Sequence, residues 1–225
     1  MTEPGFNLDF DRAQRLGFDE AMFCAGKTRE QISAILARIA ERGGSMLLTR
    51  LAASAFAQLS EDLRGGLDYE ALSGTAYFGR VAPPAHSGQV AVVGAGTSDM
   101  SVCREAVRTL GYHGIKASEI YDVGVAGIWR LMERVPDINR HPVVIAVAGM
   151  DAALISVLGG LVPGLVIGVP TSVGYGVANR GETAFHAALA SCAPGVPVMN
   201  IDNGYGAACA AIRALRTADR MRRST

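Results

Sequence analysis

The sequence predicts an α/β protein, a doubly wound, three-layer parallel sheet with a small N-terminal α+β arm. Three observations carry that reading. The stretch Val90 to Leu110 runs from a short β-branched apolar segment through Gly94-Ala95-Gly96 into a helix-capping Thr97-Ser98-Asp99 and a helical pattern. The same unit then recurs, so that five apolar runs alternate with helices, the pattern of a parallel sheet. The one long apolar run, Ala152 to Pro170, is broken by Gly159-Gly160 and Pro163-Gly164, and splits into one buried helix and one buried strand.

In chain order, residues 1–81 form the arm. Thr28 and Gln31 make a capping box, and Ile32, Ile35, Leu36 and Ile39 give one apolar stripe as far as Gly43-Gly44. Met46 to Leu51 and Thr75 to Phe78 read as strands. Residues 82–88, Pro/Gly-rich and aperiodic, read as a linker. The second unit then spans 89–219. Val90 to Val93 is its first strand, followed by a helix with apolar Met100, Val102, Cys103, Val107 and Leu110. Strands follow at Ser118–Tyr121, Val143–Ala148, Val166–Val169 and Val198–Ile201, with helices at Ile128–Val135, up to Leu161, over Thr183–Ser191 and from Ala207 to about Ala218. Residues 220–225 read as a basic tail.

Composition excludes several classes. Lys+Arg and Asp+Glu both number 21, so no net field points to nucleic acid or an anionic membrane. Cys24, Cys103, Cys192 and Cys209 lie far apart with no C-x-x-C pair, which argues against a zinc ribbon or a disulfide framework and for a reducing compartment. Asp9, Asp11, Asp19 and Glu20 interrupt any signal-peptide pattern. A cytoplasmic location is expected.

Ligand crevices of open α/β sheets lie at strand carboxyl ends, so the strand exits are the candidate site. The first turn is not the dinucleotide fingerprint, because Asp99 stands where G-x-G-x-x-G needs its last glycine. Ser98 and Asp99 either cap the helix or hold ligand hydroxyls and phosphate alongside backbone N–H groups. Asp122, Asp151 and Asp202 also fall at strand exits, where a carboxylate either caps a helix or serves the site. His86, His113, His141 and His186 fall elsewhere and read as structural or surface residues. Cys192 precedes Ala193-Pro194-Gly195 and so sits in a turn; it is either a small buried hydrophobe or a nucleophile. Cys103 and Cys209 lie inside helical patterns and read as packing residues.

GTSDMSVCREA, IYDVGVAGI, VVIAVAGMDAAL, VIGVPTSVGYG and SCAPGVPVMNIDNGYGAA, with LDFDRAQRLGF and AGKTREQI in the arm, together resemble the LarB family. Its members are pyridinium-3,5-biscarboxylic acid mononucleotide synthases of nickel-pincer cofactor assembly. The catalytic half of that family is similar to the purine-pathway aminoimidazole ribonucleotide carboxylase/mutase, a flavodoxin-like domain that assembles as an octamer. The resemblance implies a carboxylase-hydrolase acting on nicotinic acid adenine dinucleotide with CO2 or bicarbonate and releasing AMP. It implies Cys192 as transient nucleophile in the S-C-A-x-G motif and Asp151 as a base or Mg2+ ligand. Gly96, Thr97, Ser98, Asp99, Asp122, Gly124, Ser172, Tyr175 and Gly176 would bind the substrate. A homo-oligomer of eight copies is expected, and the apolar, small-residue last helix suggests an interface.

The chain departs from the family pattern at Asp151 (usually Glu), Ile155 (usually Pro), Trp129 (usually His) and Val177-Ala178-Asn179-Arg180. Two rival readings remain. The purine mutase uses histidines in G-A-A-H and S-A-H-R segments, which here read A-G-M-D-A-A-L and D-V-G-V-A-G. A non-catalytic nucleotide-binding module would leave Cys192 as a packing residue.

Overall fold

The computed structural model describes residues 5–81, 83–84 and 86–224, and the chain divides into two compact units, Met1–Pro83 and Pro84–Thr225. The first unit runs α1 (Arg12–Leu16), β1 (Ala21–Phe23), α2 (Arg29–Glu41), β2 (Met46–Thr49), α3 (Ala53–Ala57), α4 (Glu61–Gly65), β3 (Leu67–Glu70) and β4 (Thr75–Phe78). Its sheet has the order β1-β2-β4-β3, parallel only between β1 and β2. The capping box forms as the spacing predicts: the Gln31 N–H donates to Thr28 Oγ1 and the Thr28 N–H to Gln31 Oε1. Ile32, Ile35, Leu36 and Ile39 turn inward onto Met46, Leu48 and Leu51. Burying such a stripe, at about 1.5–3 kcal/mol per side chain, is what holds α2 to the sheet. The segments α1, β1, α3, α4 and β3 carry no strong periodicity, being three to five residues long, and the sequence reading passed over them.

The second unit runs β5 (His86–Gly94), α5 (Met100–Tyr112), β6 (Ile115–Ile120), α6 (Ile128–Ile138), β7 (Val143–Ala148), α7 (Ala153–Leu161), β8 (Leu165–Pro170), α8 (Glu182–Leu189) and α9 (Gly204–Arg223). All pairings in its sheet are parallel, in the order β6-β5-β7-β8. Val198 adds a parallel bridge to Gly168 on the far side of β8. Counted within the unit the order is 2-1-3-4-5, the flavodoxin-like arrangement. The β-branched runs alternate faces: Ala91, Val93, Val144, Ala146 and Ala148 pack with Leu131, Leu154, Leu158 and Ala184 of α6, α7 and α8. The opposite face is covered by α5 and α9. The three layers are as expected.

Four expectations need correction. Of the linker 82–88, Ala82 and Ala85 lie outside the described residues, while His86 to Gly88 already belong to β5. Gly88, at φ 72°, sits where the register against β6 shifts between Ser87 and Ala91; glycine here serves a bulge inside a strand. The fifth run, Val198 to Ile201, makes one bridge only. After Met199 bonds Gly168, the Asn200 side chain takes the Ile201 N–H and the backbone leaves the sheet. The basic tail is helical, because α9 continues to Arg223; nothing from Ala207 onward breaks it, and arginines in a last turn suit the negative helix end. Finally, the small face of α9 is covered within the chain. Ala207, Ala208 and Ala211 are buried, and Gly204 lies so close to α5 that an added Cβ would stand 3.0 Å from the Ala106 nitrogen. That face therefore does not itself call for a partner copy.

Candidate active site

Parallel strands bring five exits to one edge, and backbone geometry then decides which side chains meet there. From β5, Gly96 to Asp99 forms a short 3-10 turn that leads into α5. Asp99 does not point into solvent. Its side chain is buried; Oδ2 accepts the Gly96 N–H at 2.9 Å and Oδ1 accepts the Thr171 hydroxyl at 2.6 Å. The Gly149 backbone also bonds it. One carboxylate thus ties the exits of β5, β7 and β8 together. Burial pushes its proton affinity above the ordinary carboxylate range, against the three donors, and the nearby Asp202 charge acts in the same direction. Thr97 and Ser98, beside it, are exposed at the start of α5.

The other exits lock onto this tie. Gly149 has no room for a side chain, since an added Cβ would run into the Val173 carbonyl and stand 2.7 Å from Thr171 Oγ1. Gly124 approaches the Ala95 carbonyl, where a Cβ would stand at 2.9 Å. Asp202 Oδ1 accepts the Ser172 N–H at 2.7 Å, and the Asp202 N–H donates to the Pro170 carbonyl. Asp122 is exposed and pairs with Arg130 at 2.7 Å. Asp151 is exposed, and its Oδ1 accepts the N–H of Ala153, the first residue of α7, at 3.2 Å. Ser172, Tyr175 and Gly176 are exposed, Tyr175 at 77%. Backbone strain gathers at this edge. Asp122, Met150, Ala152, Arg180 and Asp202 all have φ between 51° and 63°, a region that non-glycine residues enter at a cost and that clusters at functional sites.

Cys192 is placed differently. It lies exposed in the turn between α8 and Val198. The Ser156 hydroxyl donates to Ser191 Oγ at 2.8 Å, and Ala193 and Val196 sit against Gly159. The turn therefore flanks the middle and end of α7, and Gly159 is about 9 Å down that helix from its first residue, Ala153, at 1.5 Å per residue. Among the described residues no hydrogen bond or ion pair joins Cys192 to the strand-exit side chains. The structure thus brings together Gly96, Thr97, Ser98, Asp99, Asp122, Gly124, Asp151, Ser172, Tyr175 and Gly176 at one edge, and sets Cys192 on the flank of α7.

The four cysteines separate by burial. Burial raises Cys24 to about 12 and raises Cys103 strongly as well; Cys209 is half-buried and Cys192 exposed. The histidine reading holds for His141, which is buried with Nε2 2.7 Å from Ser118 Oγ and Nδ1 against the Asp137 carbonyl. Sequence reasoning passed over Thr171 and Gly149, the partners of Asp99. Each follows directly on a strand, at Pro170-Thr171 and Ala148-Gly149, which is the available signal. Among the described residues no group of three His, Cys, Asp or Glu side chains converges as a metal cage. A Mg2+ on Asp151 would take most of its oxygen ligands from substrate phosphates and water.

Residues 5–80 match a LarB/PurE-like N-terminal domain and residues 89–225 match AIR carboxylase. An uncharacterized protein of Methanocaldococcus jannaschii is 35% identical over 214 residues, which cover 91% of this chain and 82% of that relative. The crystal structure of a Treponema denticola PurE2 variant aligns at TM-score 0.44 and 15% identity, covering 61% of this chain and 92% of that one. No helix among the described residues is long and apolar enough to cross a membrane.

Proposed function

We propose a function from one premise: the chain belongs to the LarB family, in which a LarB/PurE-like N-terminal domain precedes an AIR carboxylase domain. That domain type makes it a carboxylase/mutase-like protein. In our reading it carboxylates carbon 5 of the pyridinium ring of nicotinic acid adenine dinucleotide and hydrolyses the phosphoanhydride. The products are AMP and pyridinium-3,5-biscarboxylic acid mononucleotide.

The chemistry needs a nucleophile, because an electron-poor pyridinium carbon cannot attack CO2. Thiolate addition para to the ring nitrogen makes a dihydropyridine whose carbon 5 is enamine-like. That carbon attacks CO2, a base removes the ring proton, and the carbon–sulfur electrons return to sulfur as thiolate leaves and aromaticity is restored. Water then attacks one phosphorus of the phosphoanhydride, the bridging P–O bond breaks, and AMP and the mononucleotide each keep one phosphate. The observation that carries this reading is the exposure of Cys192 in its S-C-A-P-G turn, against the burial of Cys24 and Cys103. Asp151, exposed at the β7 exit, is our candidate base or, with substrate phosphates, Mg2+ ligand. Thr97 and Ser98 at the α5 N-terminus, with Ser172 and Tyr175, would orient the nucleotide. A homo-oligomer, expected to hold eight copies, would let the Cys192 turn of one copy face the strand exits of another; a monomer in light scattering at micromolar concentration would exclude this.

The test is Cys192→Ser. Carboxylation is expected to fall by several powers of ten, while dinucleotide binding changes little. Wild type mixed with NAD, also a pyridinium, should show a near-ultraviolet dihydropyridine absorbance that the variant lacks, and Cys209→Ser should keep it. A Cys192→Ser protein that carboxylates at the wild-type rate would sink the mechanism. Turnover of carboxyaminoimidazole ribonucleotide would instead support the mutase reading. Tight dinucleotide binding with no AMP released under bicarbonate and Mg2+ would support a binding module.

A further inference from the structure

We infer that Arg180 holds the phosphoanhydride of the dinucleotide and so sets the preference for a dinucleotide over a mononucleotide; this rests on the function proposed above. The argument begins with charge. The five strand-exit loops, 95–99, 121–127, 149–152, 171–181 and 199–203, contain Asp99, Asp122, Asp151 and Asp202 but a single Lys or Arg, which is Arg180. Arg130, the cation nearest in sequence to an exit, is already neutralised by Asp122 at 2.7 Å. A phosphoanhydride brings two negative charges to this acidic edge, and Arg180 is the loop cation that can match them, with a planar fork suited to phosphate oxygens.

The backbone supplies the second observation. Arg180 sits at φ 63°, ψ 9°, between an extended Asn179 and Gly181 at φ 79°. An arginine pays a steric cost there that glycine does not. Packing explains the conformation but not the side chain. An added Cβ on Gly181 would stand 2.6 Å from the Thr171 carbonyl and 2.8 Å from Ile201, so this segment must run close beside Thr171. The Thr183 hydroxyl bonds the Val177 carbonyl at 2.6 Å and closes the loop. The Arg180 side chain is exposed, and no hydrogen bond or ion pair joins it to a described residue. Its backbone is held one residue from Gly181, which abuts the threonine that Asp99 binds. A strained, pinned and unpaired cation on an acidic edge fits an anionic ligand.

Calorimetric titration of the full chain without bicarbonate tests this. Wild type, Arg180→Ala, Arg180→Lys and Arg180→Gly are each titrated with nicotinic acid adenine dinucleotide, NAD and nicotinic acid mononucleotide. The Ala and Gly variants should bind both dinucleotides about tenfold or more weakly, as loss of a charge-assisted pair predicts, with a smaller loss for the mononucleotide and partial retention in Lys. Their affinity should also depend less on salt than that of wild type, and turnover should show the loss in KM with kcat largely kept. Arg180→Gly accepts the backbone conformation without strain, so its melting temperature should equal or exceed that of wild type, by up to about 2–4 °C. A loss confined to nicotinic acid adenine dinucleotide, absent with NAD, would assign Arg180 to the ring carboxylate and overturn the inference. Wild-type affinities in the Ala and Gly variants would overturn it while leaving the proposed function standing. A wild-type protein that binds neither dinucleotide would overturn both.

Discussion

The two edges of the sheet in the second unit are built on opposite terms. In the helix-to-strand turns of the amino edge, left-handed backbone falls on Gly114 and Gly195, where it costs little. At the carboxyl edge Gly176 and Gly181 take it too, but so do Asp122, Met150, Ala152, Arg180 and Asp202, each at roughly 1–2 kcal/mol. Those residues stay strained because the loops over-determine them: Asp99 ties three exits, Asp202 holds Ser172, and Gly149 is walled in by Val173 and Thr171. One edge turns the chain around; the other is held rigid in costly conformations, as a binding site requires. Cys192 lies with the relaxed class, in the turn that contains Gly195. On the function proposed above, a nucleophile that must meet a ring, release it and meet another would be served by an exposed turn, and groups that hold a nucleotide by a fixed edge.

Substitutions at glycines of the two edges should break this contrast most sharply if it is wrong. Gly149→Ala forces a methyl into the Val173 carbonyl and Thr171, and should cost about 3 kcal/mol or more, read as a lower urea midpoint, with dinucleotide binding lost in parallel. The tie at Asp99 is expected to have a smaller, pH-dependent effect. Burial raises its folded proton affinity above that of an ordinary aspartate, so the folded state holds the proton more tightly than the unfolded chain does. This group's contribution is therefore fully present below the unfolded value and is lost as pH rises through the folded one. Urea midpoints between pH 3.5 and 7 should show that falling component in wild type, and Asp99→Asn should remove it; a variant with an identical pH slope would detach Asp99 from the titration. The smallest effect should come from the amino edge. At Gly195 (φ 77°) a Cβ meets nothing within 4 Å, so Gly195→Ala should cost only the backbone term, about 1 kcal/mol. A larger loss at Gly195 than at Gly149 would reverse the assignment of the two edges.

Cys192 makes the limit of local reading concrete. Its turn was legible from Ala193-Pro194-Gly195, and its exposure follows from that turn. That it flanks α7 follows only from the Ser156–Ser191 bond and the packing of Ala193 and Val196 on Gly159, contacts more than 30 residues apart in the chain. The same holds for α9, whose small residues read in the sequence as an oligomer interface; the position of Gly204 against Ala106 shows that they serve a close approach to α5.

By itself the sequence determined everything that depends on neighbours within a turn or a strand. The Thr28–Gln31 box, the α2 stripe, the buried β-branched runs and the exit of each run into glycine are such features, because hydrogen bonds of three residues' reach and periodic burial set them. Tertiary structure alone decided what the exit residues do. Asp99 reads as a helix cap or a ligand group, and it is neither a free carboxylate nor an ordinary cap, because Thr171 comes to it from 72 residues away. In the sequence Arg180 belongs to a departure from the family pattern and reads equally as a phosphate or carboxylate contact or as a solvent-facing charge; it becomes the pinned cation of an acidic edge only when Gly181 is pressed against Thr171 and Ile201. Residue order encodes short-range bonds directly, whereas burial, strain and charge balance at a site are sums over loops that meet only when the sheet is assembled.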